Sequence, residues 1–218
     1  MAKRTSSNIF DNNVQDYDDW FNRHEETWLS ELILIKSLLP KSNNCLEIGV
    51  GTGRFAQALN IKQGIDPSYE MKLFAENKGI TVQQAKAEKM PFPDNSFDCL
   101  LMVTTICFIE NPELALTECS RILKNNGYLV LGFIDKNSTI GQRYLATKEQ
   151  NKFYKNAFFY STEEINKMLT QNNFKIKEIK QTLFEDHTNN TSIQPTKEGY
   201  GEGSFIGIKA QKKEQING

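Results

Sequence analysis

The chain has 218 residues, enough for one domain with a well-buried core and an appended lid. Its 26 basic and 27 acidic residues leave a net charge of −1, which argues against a binder of duplex DNA or of an anionic membrane. No apolar run is long enough to span a bilayer, and no signal-peptide pattern follows the N-terminal Met-Ala-Lys-Arg. Cys45, Cys99, Cys107 and Cys119 are spaced by 54, 8 and 12 residues, which fits neither a zinc knuckle nor a redox CxxC pair. No metal site, no membrane insertion and a reducing cytoplasm are therefore expected.

Residues 1–15 are polar and read as frayed. From Asp16 the pattern turns helical, with Tyr17, Trp20, Phe21 and His24 at i, i+3, i+4 and i+7 and Trp28 one turn on, an aromatic stripe. A second helix over about 27–39 carries Leu29, Leu32, Ile33, Lys36 and Leu39 and stops at Pro40. Strands and helices then alternate: strand 45–48, helix 54–59, strand 63–66, helix 69–78, strand 80–84 and the apolar strand 97–103. Asn111-Pro112-Glu113 opens a helix with a capping side chain and a proline in the first turn. It is expected to run to about Lys124 and to close at Asn125-Asn126-Gly127, before a strand over 128–133. Residues 135–160, mixed polar and aromatic, read as an inserted lid. Ser161-Thr162-Glu163-Glu164 has capping-box spacing, and strands follow at 174–181 and 204–211, separated by a loop over 185–203. This alternation predicts an α/β fold with a parallel sheet covered by helices on both faces.

The most informative stretch is Leu46-Glu47-Ile48-Gly49-Val50-Gly51-Thr52-Gly53-Arg54, followed by Gly64-Ile65-Asp66-Pro67. A glycine loop between strand and helix lets the backbone approach a ligand at the positive end of the helix dipole. Asp66 ends the next strand 19 positions after Glu47, close to the spacing at which a carboxylate grips ribose hydroxyls. The dinucleotide fingerprint G-x-G-x-x-G needs a third glycine where Arg54 stands, so the register fits a pyrophosphate badly.

Glu47 to Gly53 resembles the first motif of class I S-adenosylmethionine-dependent methyltransferases, and Gly64-Ile65-Asp66-Pro67-Ser68 resembles the second. Ala87-Glu88-Lys89-Met90-Pro91-Phe92-Pro93-Asp94-Asn95-Ser96-Phe97-Asp98 is similar to the third block of the small-molecule, ubiquinone-biosynthesis-like (type 11) branch. Arg121 to Leu129 resembles the block before strand five. The matches run through about residues 44–133 in order.

The resemblance implies a Rossmann-like, seven-stranded, mostly parallel sheet with the last strand antiparallel. It implies an N-terminal helical cap over 1–40 on a cofactor-binding domain over 41–218. The backbone at Gly49, Gly51 and Gly53, with Glu47 nearby, would wrap the methionine moiety. Asp66 would take the ribose hydroxyls, Pro67 or Ser68 would lie beside the adenine, and Ala87 and Glu88 would line its far edge. Thr104 would sit beneath the sulfonium. The product would be S-adenosylhomocysteine.

Tyr17 and Trp20 are expected to face the cofactor, where aromatic faces exclude water and stabilise a cation. A general base is unassigned, with His24 and Tyr17 as the candidates and His187 reading as solvated; Cys107 could line the acceptor site. Acceptor specificity is expected to lie in residues 8–28, 135–160 and 185–203. The acceptor is expected to be a small molecule, not nucleic acid, and the chain a monomer or homodimer. Two alternatives stay open: a non-catalytic S-adenosylmethionine binder and a nicotinamide-dependent oxidoreductase.

Overall fold

The computed structural model describes residues 7–42, 44–185 and 192–214, with the side chains of Ser7 and Asn8 excepted. His187 lies outside the described residues. The chain opens with three helices, α1 (Ser7–Asp11), α2 (Val14–Arg23) and α3 (Glu25–Leu38). Then follow β1 (Cys45–Ile48), α4 (Arg54–Ala58), β2 (Gln63–Asp66), α5 (Tyr69–Glu76), β3 (Thr81–Gln84) and β4 (Phe97–Val103). The second half comprises α6 (Pro112–Ile122), β5 (Leu123–Ile134), α7 (Thr139–Ala146), α8 (Thr162–Gln171), β6 (Phe174–Thr182), β7 (Lys197–Glu198) and β8 (Phe205–Lys212).

The strands form one sheet in the order β3–β2–β1–β4–β5–β8–β6–β7. Pairs from β3 to β5 are parallel, and β8 runs antiparallel to both β5 and β6. The sheet has eight strands rather than the expected seven, because two residues of the segment read as a loop, Lys197 and Glu198, pair with the edge strand at Gln181 and Lys180. That segment is held down by side chains: Gln194 Oε1 accepts from the Phe184 and Glu185 amides, and Gln181 Oε1 from Glu202 and Gly203.

Alternate residues of each central strand feed opposite layers. Leu100 and Met102 of β4 pack with Leu116 and Ile122 of α6 and Leu169 of α8, while Cys99, Leu101 and Val103 pack with Leu34 and Ile35 of α3 and Phe55 of α4. The third helix lies very close to the sheet. A Cβ at Gly207 of β8 would meet Leu34 Cδ2 at 2.2 Å and Leu38 Cδ1 at 2.6 Å, so only glycine permits this approach.

Three sequence expectations are corrected. Residues 7–11 are helical, with Asp11 Oδ1 accepting from the Ser68 hydroxyl and the Glu70 amide. The core-facing stripe of α3 is Thr27, Ser30, Glu31, Leu34, Ile35 and Leu38, and Ile33 is exposed. The expected stripe followed the apolar residues, whereas the helix turns its polar Thr27, Ser30 and Glu31 inward. The sixth helix ends at Ile122, because fully buried Leu123 already pairs with Phe97. Asn125-Asn126-Gly127 is therefore an excursion within β5, and pairing resumes at Tyr128 with Cys99.

The helix pair α1–α2 is fastened to α4 and the end of α5 by one buried carboxylate. Asp18 accepts from Arg54 Nε at 2.9 Å and Nη2 at 2.5 Å, and from Lys78 Nζ at 3.0 Å. Burial pushes the Asp18 pKa up, but the Arg54 and Lys78 hydrogen bonds outweigh it and hold it below the usual range. Arg54 also reaches Asn22 and lies over the Phe21 ring. The residue that displaces the third glycine of the dinucleotide fingerprint thus clamps the cap.

Asp18→Ala leaves two cations partly buried without their partner, and should cost about 2–4 kcal/mol. Urea unfolding measures the loss, and limited proteolysis should cut the freed segment 7–24 first. A loss below about 0.5 kcal/mol, typical of a surface pair, would show that this clamp does not hold the cap.

Candidate functional site

The site lies at the carboxyl ends of β1, β2 and β4, where strand order reverses beside the first strand, the usual ligand crevice of open α/β sheets. After Ile48 the chain turns through Gly49 with φ +69°. A Cβ there would lie 2.3 Å from Thr105 Cγ2, so the position needs both a positive φ and no side chain. The loop amides are already used: Gly49 N and Val50 N donate to the Ile65 carbonyl, and Gly51 N donates to Asp66 Oδ2 at 2.9 Å. The loop is therefore tied to the end of β2 along its length.

The other Asp66 oxygen accepts from Ser68 N at 2.9 Å. Each oxygen keeps a lone pair, and the carboxylate lines the cavity. Burial raises its pKa to about 6, against the two amide hydrogen bonds that lower it. Asp66 is 7% exposed. It is an ionised acceptor at neutral pH, preset for a pair of hydroxyl donors.

Gly49, Gly51, Asp66, Pro67, Ser68, Ala87, Glu88, Thr104 and Tyr17 all line this one cavity. Met71, Ala85 and Ile109 add an apolar wall. Glu88 Oε1 accepts from the Glu110 and Asn111 amides, which fixes the far rim. The charged lining is Asp66, Glu88, Glu110 and Lys86, and Lys86 is paired with Glu110 at 3.3 Å. An excess of acid suits a cationic ligand and offers nothing to a pyrophosphate, so the nicotinamide alternative gains no support. Tyr17 covers the loop, its Cε1 3.5 Å from where a Gly51 Cβ would stand. Burial first, then the charges of Asp66 and Glu47, push its phenol well above the ordinary range.

Four expected residues lie elsewhere. Glu47 is buried beneath the loop, where burial lifts its pKa well above the usual range although the Ala56 amide lowers it. Its Oε2 has no partner among the described residues. Gly53 packs against Ile80 and Ala75 and is outside the lining. Trp20 lines a second, adjoining cavity. His24 lines neither. It sits at the joint of α2 and α3, stacked on Trp20 at 4.7 Å with Nδ1 3.0 Å from the Trp20 carbonyl.

The second cavity, of about 180 Å³, shares Phe10, Tyr17, Thr104 and Phe108 with the first. The rings around that junction are mutually packed: Phe10 meets Tyr17 and Phe108 edge-on and stacks on Phe153 at 5.7 Å. Thr104, at the end of β4, has φ +46°, an outlier for a β-branched residue of the kind that collects at functional sites. The deeper wall carries Glu31 of α3, 5% exposed, which the sequence reading missed. Burial alone raises its pKa to about 8. Cys107 stands beside these cavities in a smaller one with Tyr144, Tyr154 and Tyr160, its thiol pushed up to about 12 by burial. No cluster able to hold a metal ion occurs among the described residues, and none of their helices is long and apolar enough to cross a membrane.

Comparisons with known proteins agree over most of the chain. A family model described as a methyltransferase domain, type 11, matches residues 46–131. An uncharacterized protein of Methanocaldococcus jannaschii is 43% identical over 205 residues, covering 94% of this chain and 99% of its own length. An uncharacterized protein of Mycobacterium tuberculosis H37Rv is 36% identical over 173 residues, 78% of this chain, which spans only 61% of that relative. The crystal structure of a SAM-dependent methyltransferase from Thermotoga maritima, designated a possible histamine N-methyltransferase, superposes with a TM-score of 0.93 at 46% identity. That match covers 96% of this chain and 100% of the other.

Glu31 yields a sign-specific prediction. An acid with a raised folded pKa loses stability as pH rises from its unfolded value, near 4.3, to about 8 in the folded chain. Glu31→Gln removes that loss. Its melting temperature should match the native chain near pH 4 and exceed it by about 3 °C or more at pH 9, a domain this size shifting about 2–4 °C per kcal/mol. Parallel curves from pH 4 to 9 would contradict the assigned burial of the acid.

Proposed function

Because the chain belongs to the class I S-adenosylmethionine-dependent methyltransferases, we propose that it methylates a small molecule seated in the second cavity. The observation that carries this reading is the shared wall of Phe10, Tyr17, Thr104 and Phe108, through which an acidic nucleoside-type cavity opens onto an aromatic one. S-adenosylmethionine supplies a methyl group on a cationic sulfur when bound.

The chain's residues hold and shield the reactants. Asp66 takes the ribose hydroxyls on its free lone pairs, with Pro67, Ser68, Ala87 and Glu88 framing the adenine. The turn at Gly49 and Gly51, above Glu47 and Gly53, gives the methionine moiety room against the backbone. Tyr17 closes over that turn, and Trp20 stands behind it on the acceptor side. Thr104 marks the point where the two cavities meet, and the reacting atoms belong there. The leaving group is neutral, so alignment and desolvation are the main tasks. Holding both reactants in near-attack geometry can supply about 7–11 kcal/mol.

The described part of the N-terminal cap, residues 7–40, and the segment 135–160, which carries α7, act as lids over the acceptor. The four buried thiols are all free, which supports a reducing cytoplasmic setting.

Asp66→Asn removes the charge and turns one acceptor oxygen into a donor. S-adenosylhomocysteine affinity, measured by calorimetry, should fall about 100-fold, as expected when one partner of a buried charge-assisted pair is lost. For the native chain, affinity should fall as pH drops below about 6, where Asp66 protonates, by up to about tenfold per unit. Unchanged affinity in the variant, or a flat profile from pH 7 to 5, would overturn the ribose assignment.

A further inference from the structure

Glu31 is a buried carboxylate that the reading above leaves without a task. It sits one turn after Thr27 on the inward face of α3, 5% exposed, and its side chain lines the second cavity. No hydrogen bond or ion pair from any described residue reaches it, and burial is the sole cause of its raised pKa. An isolated buried acid costs stability unless something compensates it. Among the described residues lining this cavity, Glu31 is the one carboxylate and there is no Lys, Arg or His. The ionisable groups facing it from other elements are the phenols of Tyr17, Tyr144 and Tyr154. The remaining wall is largely aromatic.

A single carboxyl group at the end of an aromatic box, once ionised, is the complement of a small organic cation. The rings present negative faces to it, and the carboxylate takes its N–H bonds. Carboxylic acids, phosphates and sulfates are disfavoured by the same charge. Neutral acceptors can pair only with the protonated acid and gain no charge attraction from it. The space also limits size: an engineered apolar cavity of about 150 Å³ holds benzene, so about 180 Å³ takes one ring or a short chain.

We propose that the methyl acceptor is a small amine, of single-ring or short-chain size, whose nitrogen is held by Glu31 inside the ring box of Tyr17, Phe108, Tyr144 and Tyr154. This rests on the methyltransferase reading and names the substrate class of that same site. An amine that enters as an ammonium ion hands one proton to the Glu31 carboxylate and exposes its lone pair. That pair forms the new N–C bond as the methyl–sulfur bond breaks, the bonding electrons staying on sulfur. The methylated nitrogen leaves carrying the positive charge.

The raised pKa adds a signature that a merely structural acid lacks. Near pH 7 the empty site is largely protonated at Glu31, so binding an ammonium ion must expel close to one proton.

The test uses the full chain with S-adenosylhomocysteine bound and a panel of amines, with 2-phenylethylamine and butylamine as leading probes and 2-phenylethanol and butanol as their neutral counterparts. Calorimetry in buffers of different ionisation enthalpy reads affinity and proton release together. At least one amine should bind, and should be methylated when S-adenosylmethionine replaces S-adenosylhomocysteine; its alcohol counterpart should bind at least about 30-fold more weakly, and close to one proton should be released on amine binding at pH 7. In Glu31→Gln, amine affinity should fall about 100-fold, the cost of removing one partner of a desolvated charge pair. S-adenosylhomocysteine affinity should stay within about twofold, which also reports that the variant is folded. Equal binding of alcohols and amines, amine binding that survives Glu31→Gln, or methylation confined to alcohols, thiols or acids would overturn the proposal and leave the methyltransferase reading intact. Failure of the native chain to bind S-adenosylhomocysteine would instead overturn that reading.

Discussion

The site depends on one buried charge cluster: Asp18 of the cap held by Arg54 at the start of α4 and Lys78 just after α5. Neither cavity is formed by the sheet alone. Phe10, Tyr17 and Trp20 become walls only when α1 and α2 lie across the carboxyl edge, and the fastening is a carboxylate that cannot be left without its partners at low cost. The contact of Asp11 with Ser68 places a second tie on the far side of the first cavity. Ser68 also donates its amide to Asp66, so the cap, the N-terminus of α5 and the acid that lines the first cavity are linked through Asp11, Ser68 and Asp66.

Charge divides the two compartments. The first holds several acids around an apolar slot and suits a large cation with a hydroxylated sugar. The second holds one acid in a ring-lined box. Both favour positive charge, and both protect it from water, where a sulfonium would be solvated and slow to align. The positive φ of Thr104 fits this division, since strand β4 must end abruptly for the two compartments to meet. The acids are kept apart by burial and by different partners: Asp66 by two amides, Glu47 by Ala56, and Glu31 by no described residue.

Much of this was legible before any coordinates. The strands at 45–48, 63–66 and 97–103 match their expected limits, because short apolar runs that stop at Gly49, at Pro67 and at the polar Thr104-Thr105 leave few alternatives. The expected capping box at Ser161 and Glu164 is present with both of its hydrogen bonds. The glycine loop and Asp66 were readable because close approach and a positive φ demand particular residues. What was hidden followed a common physical pattern. The junction of α6 with β5 depends on where Leu123 finds its partner, a contact made 26 residues away with Phe97. The inward face of α3 is hidden from a local reading because Leu29, Leu32 and Ile33 outweigh Thr27, Ser30 and Glu31 in any local pattern. Yet Thr27, Glu31, Leu34 and Leu38 do recur at helical spacing, and a charged residue on such a stripe is a signal for a buried functional acid.

The account's central claim is that cofactor and acceptor meet at the wall shared by the two cavities. A crystal structure with S-adenosylhomocysteine tests it most directly. The ribose hydroxyls should lie within hydrogen-bonding distance of Asp66, with the sulfur beside Thr104 and Tyr17 and open toward Glu31. An adenosine placed outside the Asp66 cavity, or a sulfur turned away from the aromatic box, would contradict the account.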